Sequence, residues 1–142
     1  MYIIDSTPAW CGSSTSEVLH IVMNQHQFPT SHPNCHGTSD WGFVAPKLLV
    51  FNIPQHSGIL DREICMKGIN GQNTILQLRG IVYHGNFHFT SRIIANDGKI
   101  WYHDGIATGA NAVMEGNMRN IKNSNLTKCK GKVIALAIYA QN

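Results

Sequence analysis

The sequence predicts an α+β domain, an antiparallel β-sheet with one packed helix near its N-terminus. Three observations lead to this fold class. Residues 78–109 hold three apolar-rich runs separated by turn-forming residues, as consecutive antiparallel strands do. Residues 18–23 carry apolar side chains at helical spacing. The 142 residues, 43% of them hydrophobic, suffice for one core, so the chain is predicted to be a single domain.

Composition argues against several classes of protein. The formal net charge is only +3 and the basic residues are mostly scattered, so no nucleic-acid partner is expected. No apolar run approaches the roughly 18 residues of a membrane span, and the N-terminus lacks a charged-then-apolar signal segment. Four cysteines without paired spacing fit a reduced protein better than a disulfide scaffold. We therefore expect an intracellular protein, in the cytoplasm or nucleus, without a membrane partner.

The N-terminal third is predicted to hold a short strand and the helix. Residues 2–4 form an apolar run, and the helical spacing begins at Val18. Thr15 or Ser16 would cap this helix. Cys11 is thereby placed just ahead of a helix N-terminus, where the helix dipole lowers the pKa of a thiol.

The stretch from His20 to His36 holds four histidines and Cys35. One interpretation is a zinc site, and the other is a polar loop interrupted by Pro29, Pro33 and Gly37. No Cys-x-x-Cys pair is present to close a tetrahedral site. The loop is therefore favoured, and neither a metal nor another cofactor is expected.

Further strands are predicted by apolar runs at 47–53, 64–66 and 133–139. Cys65, in the second of these runs, is predicted to be a small core residue. The segment 105–126 is rich in Gly and Asn and is predicted to be a loop with one helical turn at 112–118.

Two hairpins are predicted within residues 78–109. Gly85-Asn86 is expected to form the first turn, and Asn96-Asp97-Gly98 the second. A three-residue second loop would place Thr90 opposite Asp104 and His88 diagonal to Asp104 on the same face. A two-residue loop would instead turn Asp104 to the other face.

The residue types at the second turn favour the three-residue loop, because only its last position, Gly98, requires a positive φ. The sequence thus predicts that His88 and Asp104 share one face of a hairpin. That arrangement is what a general base and its orienting acid require. His103 is expected on the opposite face by strand alternation, whereas Trp101 and Tyr102 are expected to pack in the core and on the sheet surface.

Three motifs resemble the C-terminal part of the ubiquitin-specific protease catalytic domain, a family of papain-like cysteine peptidases. They are Leu-x-Gly-Ile-Val-x-His-Gly from Leu78, His-Phe-Thr-Ser-Arg-Ile-Ile from His88, and Asp-Gly-x-Ile-Trp-Tyr-His-Asp ending at Asp104. The last two look closer still to protease-like proteins associated with fungal transposable elements. The resemblance is strongest over 47–139. It implies a papain-like lobe in which His88 is the catalytic histidine, Asp104 orients it, and ubiquitin or a related protein is bound.

Two features differ from the family pattern. Phe87 stands where the family has a glycine before the catalytic histidine, and the spacer from His84 to His88 is short. The family's catalytic cysteine lies far upstream, on a lobe that 142 residues are too short to contain. Either the domain is incomplete, with a partner chain supplying the missing lobe, or another cysteine acts. An incomplete domain would expose apolar residues in 2–4 and 18–23.

Cys11 is the candidate nucleophile, because papain-like enzymes place a cysteine at the start of a helix that faces a histidine. Trp10-Cys11-Gly12-Ser13 does not match the family's cysteine motif, however, and a structural cysteine is the alternative. Two functions remain open. One is a thiol hydrolase that cleaves ubiquitin or a related protein with Cys11, His88 and Asp104. The other is a catalytically dead or fragmentary domain, derived from a mobile element, with a protein-binding role.

Overall fold

The computed structural model describes residues 2–4, 15, 46–53, 59–67 and 73–142. Nine strands lie within these ranges: β1 (Tyr2–Ile4), β2 (Leu48–Asn52), β3 (Glu63–Lys67), β4 (Asn73–Gly85), β5 (His88–Ile94), β6 (Lys99–His103), β7 (Val113–Asn117), β8 (Lys128–Cys129) and β9 (Lys132–Ala140). Two short 3₁₀ turns, Met118–Asn120 and Asn123–Asn125, connect β7 to β8.

The predicted α+β class with a packed helix is wrong. The described residues form a mostly antiparallel β-sheet curled into a half-barrel, and no helix of seven or more residues occurs among them. The predicted helix at 16–23 and its expected exposed apolar side chains lie outside the described residues, as do the side chains of 2–4. Its helical spacing covers fewer than two turns, and so short a window does not determine a fold class.

The nine described strands belong to one sheet, in the order β1-β2-β9-β4-β5-β6-β7, with β3 paired to β4 and β8 paired to β9. Every neighbouring pair is antiparallel except β1 and β2. The thirteen-residue β4 is the longest of the described strands and pairs with β3, β5 and β9. The site described below lies where β4 ends and β5 begins.

One face of the sheet carries the core. Its largest fully buried side chains are Tyr83, Tyr139 and Phe51. The Phe51 ring meets the Tyr139 ring edge-on, with centroids 5.6 Å apart, a favourable aromatic geometry. Thr15 is also buried here, and its hydroxyl lies 2.9 Å from the Tyr139 hydroxyl.

The opposite face carries an apolar row. Register places Gly80 beside Ile93, Ile93 beside Trp101, and Trp101 beside Met114. Ile93, Trp101 and Met114 are exposed.

No helix in the described ranges is long and apolar enough to cross a membrane.

Two local predictions are wrong, one at residues 112–118 and one at Cys65. The segment predicted as a helical turn at 112–118 contains strand β7, whose Val113 and Met114 are both exposed, so it lacks the alternation that marks a half-buried strand. Cys65, predicted in the core, is exposed because β3 turns its neighbours Ile64 and Met66 inward. Strands at 48–52, 63–67 and 132–140 confirm the other apolar runs.

Candidate functional site

The turn between β5 and β6 has the predicted three-residue form. Ala95 accepts a hydrogen bond from the Gly98 N–H at 2.9 Å, and the Ala95 N–H donates to the Lys99 carbonyl at 2.9 Å. Gly98 has a φ of 83°. Ser91 pairs with His103, and Ile94 pairs with Ile100. These pairs confirm the register predicted for a three-residue loop.

The turn between β4 and β5 lies one residue later than predicted. Gly85 pairs with His88, which leaves Asn86 and Phe87 as the two turn residues. Their φ values are 53° and 58°, as a type I′ hairpin turn requires. Glycine and asparagine suit such positions, whereas a phenylalanine there is strained. The Phe87 side chain is nevertheless fully exposed.

These two turns bring His88 and Asp104 together. His88 Nε2 donates to Asp104 Oδ1 over 2.7 Å. The side chains are 26% and 11% exposed, respectively. The prediction that the two share one face is thereby confirmed, while their catalytic role stays a prediction. Because Nε2 is occupied by the carboxylate, Nδ1 is the ring nitrogen left for a second group.

The backbone after β6 holds the carboxylate in place. The N–H groups of Ile106 and Ala107 donate to Asp104 Oδ1 at 3.0 and 3.2 Å. The Thr108 N–H donates to the Asp104 carbonyl at 2.7 Å, and the Asp104 N–H donates to Thr108 Oγ1 at 3.1 Å. Asp104 therefore nucleates a compact turn that fixes its own side chain.

This environment keeps Asp104 ionised. The hydrogen bond from His88 is the largest influence that lowers the pKa of Asp104, while partial burial works to raise it. The N–H groups of Ala107 and Ile106 and the Tyr102 hydroxyl add to the lowering. An ionised Asp104 can hold the proton of His88 on Nε2.

Tyr102 contributes to the site although the sequence predicted only packing for it. It is buried, and its hydroxyl donates to Asp104 Oδ2 at 3.2 Å. Strand alternation does indicate that Tyr102 and Asp104 face the same way, because they are two residues apart. Nothing in the local sequence, however, gives the length of side chain needed to reach the carboxylate.

Arg92 connects the β5–β6 hairpin to neighbouring elements by side-chain hydrogen bonds. It lies on the same face as His88, and its Nε donates to Glu115 Oε2 at 2.6 Å. Its Nη1 donates to the Tyr83 hydroxyl at 3.2 Å and to the Asn125 carbonyl at 3.0 Å. A buried guanidinium with this many partners ties β5 to β7 and to the 3₁₀ segment.

Thr90 lies between His88 and Arg92 on this face. Its hydroxyl is buried, and its hydrogen-bonding interaction with Tyr102 works to lower the pKa of that phenol, while burial raises the pKa. Thr90 therefore lies beside the Tyr102–Asp104 contact, on the side of the sheet that carries the His88–Asp104 pair.

The two other histidines of this region have local partners. His103 donates from Nε2 to the Gly109 carbonyl at 3.0 Å, on the face opposite Asp104 as predicted. His84 stacks against Phe89 with ring centroids 4.4 Å apart. Neither contact involves Asp104.

The predicted nucleophile, Cys11, lies outside the described residues, as does the stretch from His20 to His36. Two of the other cysteines are poorly placed to serve His88. Cys129 is buried, and burial raises the pKa of its thiol. Cys65 pairs with Ile75, ten positions along β4 from the partner of His88, or roughly 33 Å at the usual rise per residue. No group of three or more metal-ligating side chains occurs in the described ranges.

Thr15 is the described residue nearest to Cys11 in sequence. Its hydroxyl contacts Tyr139, and Tyr139 pairs with Leu78. His88 pairs with Gly85 of the same strand, β4. Leu78 and Gly85 are seven residues apart, or roughly 23 Å along a straight strand. Four residues span at most about 14 Å, so this anchor limits how Cys11 can approach the hairpin.

Exposed apolar side chains flank the pair in the sequence. Phe87 immediately precedes His88, and Ile106 follows Asp104 by two residues. Both are almost fully exposed. Neither side chain is part of the buried core.

No protein-family model matches the sequence, and no curated protein matches it significantly. A solved structure of the SAGA DUB module of Ubp8, Sgf11, Sus1 and Sgf73, with a cysteine-to-alanine variant of Ubp8 and bound to monoubiquitin, is similar in fold. Its TM-score is 0.56 over 99% of this chain, at 13% identity. The same module bound to ubiquitin aldehyde gives a TM-score of 0.46 over 68% of this chain, also at 13% identity. This chain spans 34% and 25% of the two matched chains, respectively.

Proposed function

We propose that this chain carries the base and the orienting acid of a thiol hydrolase of the ubiquitin-specific protease type, with Cys11 as the nucleophile. One observation supports this above the others. His88 Nε2 lies 2.7 Å from Asp104 Oδ1, which leaves the other ring nitrogen without a role in the hairpin. A histidine held in this way is prepared to accept a proton from a thiol.

The proposed reaction begins when Nδ1 of His88 takes the proton of the Cys11 thiol. The thiolate attacks the substrate carbonyl carbon, and the tetrahedral intermediate expels an amine that takes the proton back from His88. This leaves an acyl group on sulfur as a thioester. Water, deprotonated by His88, then hydrolyses the thioester and restores the thiol. Throughout, the Asp104 carboxylate stabilises the imidazolium and keeps its ring oriented.

The proposed substrate is ubiquitin or a related protein joined to an amine through its C-terminus. The fold similarity to a DUB module bound to monoubiquitin supports this choice. Phe87 and Ile106 lie on either side of the His88–Asp104 pair in sequence and are exposed. They would contact the residues next to the bond that is cleaved.

The position of Thr15 sets a condition on this proposal. The four residues from Thr15 back to Cys11 span at most about 14 Å, which is less than the distance along a straight β4, so the proposal requires that the anchor of Thr15 lie closer to His88 through space. The curl of the sheet shortens the path.

A ubiquitin probe with a C-terminal electrophile tests the nucleophile directly. The wild type and Cys65→Ala should be labelled at the same rate, while Cys11→Ala and His88→Ala should not be labelled. Intact mass and peptide mapping locate the modified sulfur. Unchanged labelling of Cys11→Ala would exclude Cys11, and a Cys35→Ala variant would then show whether the remaining cysteine outside the described ranges is responsible.

The second candidate is a domain that binds a ubiquitin-like protein without cleaving it. The anchoring of Thr15 on Tyr139, far along the sheet from His88, favours this alternative. In that case Cys11 would not act as a nucleophile for His88. Absence of labelling in a folded sample, together with ubiquitin-induced NMR shifts around Phe87 and Ile106, would support binding over hydrolysis.

A further inference from the structure

The Asp104 carboxylate is held at both of its oxygens, by groups of different origin. Oδ1 accepts from His88 and from the N–H groups of Ile106 and Ala107. Oδ2 accepts from the Tyr102 hydroxyl. Among the described residues, the structure gives no other donor to Oδ2. Rotation of the carboxylate about its bond to Cβ is therefore opposed from that side by one side chain.

The face of the Tyr102 ring is contacted by the Lys130 side chain. Lys130 and Gly131 form the two-residue turn between β8 and β9, with φ values of 47° and 77°. The Lys130 ammonium lies 3.5 Å from the centroid of the Tyr102 ring, close enough for a strong cation–π contact. A lysine is strained at this φ, and asparagine or glycine would suit the turn better. The turn alone does not account for the lysine, whereas the contact with Tyr102 does.

The state of the Tyr102 hydroxyl agrees with a donor role. Burial raises the pKa of Tyr102, so the phenol remains protonated at neutral pH and has a proton to donate. The positive charge of Lys130 over the ring strengthens this donor, because it draws electron density away from the oxygen. The opposite assignment, in which Tyr102 accepts from Asp104, would require a protonated carboxyl, and the lowered pKa of Asp104 argues against that.

We propose that Tyr102 and Lys130 form a positioning pair for His88. The Tyr102 hydroxyl holds the second oxygen of Asp104, and the Lys130 ammonium holds the Tyr102 ring. Together they keep Oδ1 directed at Nε2, so that His88 carries its proton on Nε2 and presents a bare Nδ1. The catalytic meaning of this pair rests on the proposed hydrolase, whereas its effect on the His88 tautomer does not.

The test reads the tautomer of His88 by NMR, without any substrate. The protein is labelled with ¹⁵N-histidine and studied near pH 8, where neutral imidazoles predominate, with His88→Gln used to assign the signals. In the wild type we expect the Nε2–H tautomer of His88, with a slowly exchanging ring proton. In Tyr102→Phe, which keeps the ring but removes the hydroxyl, we expect that proton to exchange about tenfold faster, as fits the loss of one hydrogen bond to a charged group.

Tyr139→Phe is the matched control. It removes another buried hydroxyl, one that donates to the Asp61 carbonyl at 2.7 Å and lies far along the sheet from His88. It should lower stability and leave the His88 tautomer unchanged. If Tyr139→Phe disturbs His88 as much as Tyr102→Phe does, the effect is a general loosening and the positioning pair is refuted.

Lys130→Asn separates positioning from stability. Asn-Gly is a favoured pair for this turn, so the variant should unfold at a temperature at least as high as the wild type. It should nevertheless exchange the His88 ring proton faster. A His88 signal that is unaltered in both Lys130→Asn and folded Tyr102→Phe would overturn the inference.

These outcomes also distinguish the inference from the proposed function. A fixed His88 tautomer that depends on Tyr102, in a protein that no ubiquitin probe labels, would leave the positioning pair intact and remove the hydrolase. Probe labelling that requires Cys11 but is equally fast in Tyr102→Phe and in the wild type, with an unchanged tautomer, would leave the hydrolase and remove the positioning pair.

Discussion

Gly98 lies against Asn117, whose side-chain oxygen would be 3.2 Å from a Cβ atom at position 98. The Gly98 φ of 83° is also one that residues with a side chain rarely adopt. Backbone conformation and a close neighbour thus both require glycine at the turn that sets the β5–β6 register. That register, in turn, decides whether His88 faces Asp104.

Gly98→Ala should therefore lower the free energy of unfolding by about 1–2 kcal/mol, as measured by urea denaturation. Gly105→Ala is the matched control, because a Cβ there meets nothing within 4 Å. Its effect should stay within about 0.5 kcal/mol. Equal effects of the two variants would show that the β5–β6 turn has no special need for glycine.

Phe87→Gly should raise the free energy of unfolding by about 0.5–1 kcal/mol, because glycine relieves the strain of a positive φ at an exposed turn position. Phe89→Gly, two residues later in β5, should lower it, since glycine weakens a strand. Thermal and urea unfolding measure both. A loss of stability in Phe87→Gly would mean that the phenylalanine ring contributes to the fold after all.

Arg92→Met should lower the free energy of unfolding by roughly 2–4 kcal/mol. The change leaves the Tyr83 hydroxyl and the Asn125 carbonyl without their buried partner and removes the contact with Glu115. Arg119→Met, at an exposed position on the first 3₁₀ turn, controls for the loss of a positive charge. If the two substitutions have similar effects, Arg92 does not tie β5 to its neighbours.

Acid should reduce the contribution of Asp104 to stability. The pKa of Asp104 is lowered in the folded state, first of all by the hydrogen bond from His88. A carboxyl of this kind adds stability above its unfolded pKa, near 4, and loses it as the pH falls through the folded pKa. The difference in unfolding free energy between wild type and Asp104→Asn should therefore narrow as the pH falls below about 5.

Urea midpoints at several pH values measure this narrowing. Glu63→Gln removes one negative charge from an exposed position on β3 and corrects for the change in net charge. A difference between wild type and Asp104→Asn that stays constant or widens as the pH falls would contradict the role assigned to the His88 hydrogen bond.

The His88–Asp104 pair could be predicted from the sequence because its causes are local. The residue types of the second turn specify the loop length, and strand alternation then fixes which side chains share a face. The predicted first turn lies one residue too early, because Gly85 is a common turn residue but still belongs to β4 in this fold. Its neighbour Phe87 has a positive φ that its residue type does not suggest.

Features that depend on distant residues could not be predicted in this way. The contact of Lys130 with Tyr102 joins two hairpins whose relative position no periodicity encodes. Strand β7 could not be predicted from alternation, because its successive residues Val113 and Met114 are both exposed. The predicted fold class is wrong because six residues with helical spacing do not determine a fold class, whereas the described strands all pair in one sheet.

The position of β9 has a consequence for synthesis on the ribosome. This strand lies between β2 and β4, and among the described strands it is what joins the β1–β2 edge to the rest of the sheet. The pairing of β9 with β2 bridges more than eighty residues. While the ribosome still covers Lys132–Ala140, β2 and β4 each lack a neighbour, and their free edges can pair with other chains. Sheet completion is therefore expected to follow translation of β9, which makes the nascent chain a natural client for chaperones that shield strand edges.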